Sequence, residues 1–261
     1  MMRTTVLVPL HHSERWLPVV AANIERLHAH CRIIVSDVDE ADDSLATLRQ
    51  RFAAVSSVSF LGSRPIARGW VAHCNALIAR PRTPFAMWLP HDDSIELDWV
   101  RDAERTLDAR RDAIAACGRL VPSPASEPGM SASLDPDPGL GSRCRLTRLA
   151  RGVAHIEHGD PALLGMLFRS VVRSDRVPPL PATDAGGSWS DIYWALRLLG
   201  RGAVVTTGAE YAKAWHRSSA VQQWHDARHD RAQLRRDIDR ALAEIPLIER
   251  LLAHRFARRR G

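Results

Sequence analysis

The chain has 261 residues, of which 45% are hydrophobic and 25% charged, with a formal net charge of +6 and a sequence pI near 9.9. That length can bury a sizeable core, and the balance of apolar and charged residues excludes an extended, core-less chain. Nor does the charge make a nucleic-acid binder: 36 basic residues are interleaved with 30 acidic ones and only the C-terminal HRFARRRG is compactly basic, whereas phosphate backbones select concentrated basic patches.

The apolar runs are short and interrupted, and no long apolar segment follows the N-terminal basic residue, so the expectation is an unexported, cytoplasmic protein without a membrane span. The basic C-terminus leaves room for peripheral contact at the inner face of the membrane. Cys31, Cys74, Cys117 and Cys144 lie far apart with no C-x-x-C pair, which fits free thiols in a reducing compartment. Lys213 is the single lysine of the chain.

In chain order, TTVLVPL (4–10) is β-branched and apolar and reads as a buried strand. SERWLPVVAANIERLHAH follows, with Ser13 in N-cap position and Trp16, Val19, Val20, Ile24 and Leu27 at helical spacing. CRIIVSD is a second strand ending at Asp37, DDSLATLRQRF a second helix, SVSFLG a third strand and ARGWVAHCNALIAR a third helix. PFAMWLP and ELDWVRDAERTLDARRD complete a fourth pair, and AIAACGRLV (113–121) is one more strand. Strands alternating with helices specify an α/β fold with a mainly parallel sheet covered on both faces. In such sheets ligands gather beyond the carboxyl ends of the strands, the edge that holds Leu10 to His12, Asp37 to Asp39 and His91 to Asp93.

PSPASEPGMSASLDPDPGLGS, after the fifth strand, is rich in Pro, Gly and Ser and reads as a mobile surface loop. Pattern returns at PALLGMLFRSVV and WSDIYWALRLLGRG, then at the strand-like AVVTTGAEYAKAWH. The last forty or so residues are charged and helical, interrupted by Pro246. The expected organisation is a main domain over 1–217 and a helical extension over 218–261 packed on it.

FAMWLPHDDSIELDWV (85–100) carries the sharpest signal, because two adjacent carboxylates at a strand end either face solvent or hold a cation. Asp92 and Asp93 also fit a simpler role as caps of the helix that follows. Asp37 and Asp39 equally suit turns and caps, Asp191 suits a helix N-cap, and Asn75 and Arg68 suit a loop contact and a solvated charge. His155 with His158, and His225 with His229, lack a partner ligand at metal spacing. No H-E-x-x-H, G-x-S-x-G or G-x-x-x-x-G-K-[ST] is present.

In their order, VPLHHSE, IIVSDVDEADDS, ARGWVAHCNALIA, WLPHDDSIELDWV, WSDIYWALRLLGRG and AKAWHRSS resemble the family 2 glycosyltransferases of the GT-A fold over roughly residues 4–217. The resemblance implies a GT-A-like, Rossmann-type sheet with C-terminal helices. It implies inverting transfer of a sugar from a UDP- or GDP-linked donor to a glycan, lipid or small-molecule acceptor. It implies binding of that nucleotide sugar by Pro9, His11, Asp37, Asp39, Arg68, Asn75 and Asp92. Mg2+ or Mn2+ is held, in this reading, by Asp92, Asp93 and His216, and Asp191 is the catalytic base. Two departures stand out. Pro90 occupies the place of the first Asp of the metal motif, and Ser190 that of the first acid of the base motif. They keep a catalytically silent nucleotide-sugar-binding protein in view. A GT-A-like nucleotidyltransferase is the other alternative, although PLHHSERW lacks the glycine-rich loop it requires.

Overall fold

The computed structural model describes residues 1–38, 42–62, 69–129, 132–157, 162–181, 189–216 and 231–257. Its centre is β1 (Thr4–Leu10), buried at every position and flanked on both sides by parallel partners, β2 (Arg32–Asp37) and β4 (Phe85–Trp88). With β3 (Val58–Leu61), β5 (Ala113–Pro122), β6 (Val171–Arg173) and β7 (Ala203–Lys213), the described residues form a seven-stranded sheet in the order β3-β2-β1-β4-β6-β5-β7. Only β6 runs against its neighbours β4 and β5. The sheet is therefore mainly parallel, as the alternating pattern predicts.

Side chains leave β1 alternately to the two faces. Val6, Val8 and Leu10 join one core with α1 (Leu17–Leu27), α2 (Ser44–Arg51) and α4 (Leu97–Ala109). Leu7 joins the other, with α3 (Trp70–Ile78), α5 (Arg145–Glu157) and α7 (Ser190–Arg201). Between α5 and α7 the PALLGMLFRSVV stretch breaks into a one-turn α6 (Ala162–Gly165), a 3-10 turn at Met166–Arg169 and β6. Beyond them α8 (Arg231–Ala241) packs on α7 and α9 (Leu247–Ala257) packs on α5, with the break at Pro246.

Pro9 lies inside β1, opposite Ser36 of β2. The Leu7 carbonyl accepts from Leu89 on the β4 side, and the Leu10 carbonyl accepts from Val38 on the β2 side. Pro9, two residues on from Leu7, thus turns its missing N–H toward the side that β4 has already left, so no ladder bond is lost.

Two local expectations change. Ser13 does not cap a helix: a 3-10 turn at Glu14–Trp16 comes first, α1 starts at Leu17, and the Ser13 hydroxyl is used at the site described below. The segment after β5 is tied down at several of its described residues rather than free-standing. Leu134 pairs with Leu120, and the N–H groups of Ser123 and Glu127 reach the carbonyls of Lys213 and Trp215. β5 and β7 carry a bulge at Gly118, where a Cβ would stand 2.2 Å from the Ala209 carbonyl oxygen, so only glycine fits. No helix among the described residues is long and apolar enough to cross a membrane.

Candidate active site

β4 stops at Trp88 and the chain turns through Leu89, Pro90 and His91 into the two carboxylates. This turn is laid against the end of β7. The Ser94 N–H donates to the Ala212 carbonyl at 2.9 Å, and the Ala214 N–H donates to Asp93 Oδ1 at 2.9 Å. From α1, the Asn23 amide reads the same turn, donating to the Asp93 carbonyl at 2.8 Å and accepting from the Ile95 N–H at 3.2 Å. The two aspartates consequently point to different places.

Asp93 faces inward and is fully buried. Its Oδ2 accepts from Arg169 Nε at 2.6 Å and from the Tyr211 hydroxyl at 3.2 Å, beside the Ala214 bond to Oδ1. Burial pushes this carboxyl up, against the pull of Arg169. The sequence places Asp93 among the metal ligands or at a helix cap. The structure gives it neither arrangement: Glu96 is the residue that precedes α4, and Asp93 is a cross-strand anchor whose oxygens are taken by three donors.

Asp92 is turned the other way, and its Oδ2 lies 2.7 Å from His216 Nε2, three residues beyond β7. Burial opposes ionisation there, but the His216 contact and the charges of Lys213 and Arg169 hold the carboxyl well below the usual range. Trp16 lines this pair, its ring centroid 5.6 Å from that of His216 and 6.2 Å from that of His91. His91 Nδ1 is 2.5 Å from the buried Ser13 hydroxyl, which also accepts from the His11 N–H at 2.9 Å. Burial pushes the His91 imidazole down, against the attraction of both aspartates.

Asp191 occupies the first turn of α7, partly buried, where burial pushes its carboxyl up against the pull of Arg169 and the Ile192 N–H. Trp189, just before α7, has φ +59°, a left-handed conformation strained for a bulky side chain. Among the described residues only one other non-glycine shares that feature, His12 at φ +48°, at the exit of β1.

Arg169 and Lys213 connect the two halves of the site. Both are felt electrostatically by Asp92, by Asp93 and by Asp191. Lys213 is buried, donates to the Ala214 carbonyl at 2.9 Å and lies 4.7 Å from the centre of the Trp215 ring. Neither cation was singled out by pattern. Arg169 sits in an apolar run with no motif, and the only clue to Lys213 is its being the one lysine in an arginine-dominated chain.

The remaining expected residues divide. Pro9 lies opposite Ser36, one position before the ends of β1 and β2, where Leu10 pairs with the buried Asp37, and the exposed His11 follows Leu10. The Asn75 amide donates to the Leu180 carbonyl at 3.0 Å and accepts from the Leu180 N–H at 2.6 Å, so both its ends are engaged with the backbone at Leu180. Asp39 and Arg68 lie outside the described residues.

Asp92 and His216 are the side chains here that fit a divalent cation. An anionic oxygen and an imidazole nitrogen converge from two strand ends, and the described residues contain no cluster of three or more metal-ligating groups. Two donors suit Mg2+ or Mn2+ shared with phosphate oxygens and water. Pro90 offers no side-chain ligand atom, and no third donor joins this pair among the described residues.

By sequence the chain matches no protein-family model and no curated protein. By structure it is similar to S. aureus TarS 1–349, with a TM-score of 0.58 and 12% identity over 96% of this chain and 77% of that one; TarS has also been crystallised with UDP-GlcNAc. It is similar to mannosyl-3-phosphoglycerate synthase from Rubrobacter xylanophilus, with a TM-score of 0.56 and 12% identity over 93% and 74% of the two chains. A third is glucosyl-3-phosphoglycerate synthase from Mycobacterium tuberculosis, in complex with Mn2+, UDP and glucosyl-3-phosphoglycerate, with a TM-score of 0.55 and 15% identity over 94% and 81%. The likeness at such identities is one of fold, and the chain has the GT-A fold.

Proposed function

We propose that this chain is a glycosyltransferase of the family 2 type, moving a sugar from a UDP- or GDP-linked donor to an acceptor hydroxyl with inversion. The observation that carries the reading is the gathering of Asp92, His216 and Asp191 around the buried Lys213 and the partly buried Arg169 at the carboxyl edge of the sheet. Solved structures of the same fold bear the names of sugar-transferring synthases, and their complexes contain UDP, UDP-GlcNAc and Mn2+.

In this reading Asp37 and Asp39 receive the N–H and O–H groups of base and ribose, Pro9 and His11 take part in holding the same nucleotide sugar, and Arg68 is assigned to it from the sequence alone. Asn75 acts indirectly, by fixing the chain that leads to α7. Asp92 and His216 would hold Mg2+ or Mn2+, whose charge would offset that of the diphosphate leaving group. Asp93 keeps the Asp92 turn against the end of β7 through Tyr211 and Ala214, and against the Met166–Arg169 turn through Arg169. Asp191 takes the proton of the acceptor hydroxyl; its partly buried position raises its basicity, and the helix N-terminus steadies the carboxylate. One base and one displacement invert the anomeric centre.

Calorimetric titration of UDP and GDP into the protein, with Mn2+ or with EDTA, tests the reading. One nucleotide binds more tightly with Mn2+, and Asp92→Ala removes the metal-dependent part. Affinity indifferent to both Mn2+ and Asp92 would set the reading aside.

A further inference from the structure

Apart from Met1, the large apolar side chains that stand exposed among the described residues are Leu247, Ile248, Leu251 and Phe256, at 61%, 71%, 54% and 38% exposure. All four lie on α9. This is not a frayed end: Ala253, His254 and Ala257 are buried against the body of the protein. Arg145 at the start of α5 pairs with Glu249, and Glu157 at its end lies 2.9 Å from His254. The two helices therefore run side by side in the same direction, and the face that α9 shows outward is set by these contacts.

With about 100° of rotation per residue, Leu247, Ile248, Leu251 and Arg255 share that outward face. Soluble proteins rarely leave such apolar residues contiguous without a partner. The charge pattern says what kind. From Leu247 to Arg260 the chain has five arginines, at 250, 255, 258, 259 and 260, and one acid, Glu249, which is already paired with Arg145. Two copies meeting through this face would bring like charges together, whereas an anionic bilayer offers apolar depth and negative headgroups at once.

We propose that α9 is a membrane-docking helix that lies flat on an anionic lipid surface. Leu247, Ile248 and Leu251 enter the boundary between headgroups and acyl chains, and Arg255 on the same face meets the phosphates. The inference stands on α9 alone and does not depend on how the carboxyl edge of the sheet is used.

Co-sedimentation of the full chain with vesicles tests it. Vesicles of phosphatidylcholine with one quarter phosphatidylglycerol should pellet the protein at low salt, and vesicles of phosphatidylcholine alone should not. The triple change Leu247→Ser, Ile248→Ser, Leu251→Ser should lower the partition by about tenfold or more, since each removed side chain takes apolar area out of the bilayer. Arg255→Glu should weaken binding and flatten its salt dependence. Ile248→Glu, at the most exposed of the positions, serves if the triple variant does not fold. No binding to anionic vesicles, or binding that these changes leave intact, would overturn the proposal. So would a dimer seen by light scattering that the triple change abolishes while lipid binding is absent.

Discussion

The two ends of the central sheet both collect arginine and aspartate, and they use them differently. At the amino end Arg3 grips Asp108 with two hydrogen bonds of 2.7 and 2.8 Å, and Arg110 does the same with Asp112, all with side chains about half in water. At the carboxyl end Arg169 meets Asp93 at 2.6 Å with the carboxylate fully covered and Tyr211 and Ala214 completing its shell. Identical chemistry yields a solvated clamp in one place and a structural keystone in the other, because the dielectric around the pair decides what breaking it costs.

The sharpest way to break this comparison is Arg169→Met. Removing the cation leaves Asp93 buried without its main partner, a loss of about 3–5 kcal/mol in stability. The Asp92 turn should loosen with it, so urea denaturation and nucleotide affinity fall together. A variant as stable as the parent would place Asp93 in water, contrary to the structure.

Asp191→Asn should separate chemistry from stability at the same end of the sheet. Asparagine is nearly isosteric but cannot accept the proton, so turnover should fall by about 10²- to 10⁴-fold. Nucleotide binding should persist, and the melting temperature should change little. The pH dependence has a definite sign. Burial raises the Asp191 carboxyl in the folded state, so the base becomes ionised only above the ordinary carboxylate range, and the acidic limb of kcat/KM should lie above about pH 4. The same shift makes ionised Asp191 a cost to folding that grows as pH rises from the unfolded value through the folded one. Asp191→Asn should remove that slope, and a rate within a few-fold of the parent would move the base elsewhere.

Asp108→Asn should have the smallest effect. Its partner Arg3 is exposed and screened, so the loss should stay below about 1 kcal/mol at moderate salt and shrink further as salt is raised. A loss as large as that of Arg169→Met, measured under the same conditions, would erase the distinction between the two ends.

Much of the first half of the molecule was readable from the amino acids. β1, β2 and β4 follow from short β-branched or apolar runs, and α1, α3 and α4 from apolar residues at helical spacing, because period and burial are local properties of a chain. The same holds for α7, whose apolar stripe marks it, and for Pro246 dividing the last two helices. The carboxyl edge as the place of the site follows from topology once strands and helices alternate.

Other features have no local signature. β6 is three residues long, Val171–Arg173, and exists because β4 and β5 leave a gap that an antiparallel segment fills. That Asp92 meets His216 while Asp93 turns to Arg169 depends on the end of β7 lying beside the β4 turn, 120 or so residues away along the chain. Nothing local to Asn75 shows that Leu180 arrives to take both ends of its amide. The amino acids alone determined the alternating α/β order and set acidic residues at strand ends. Only the tertiary structure decided which carboxylate is covered, which cation covers it and which remains turned toward the site, since burial and pairing arise from segments that meet only when the sheet has closed over them.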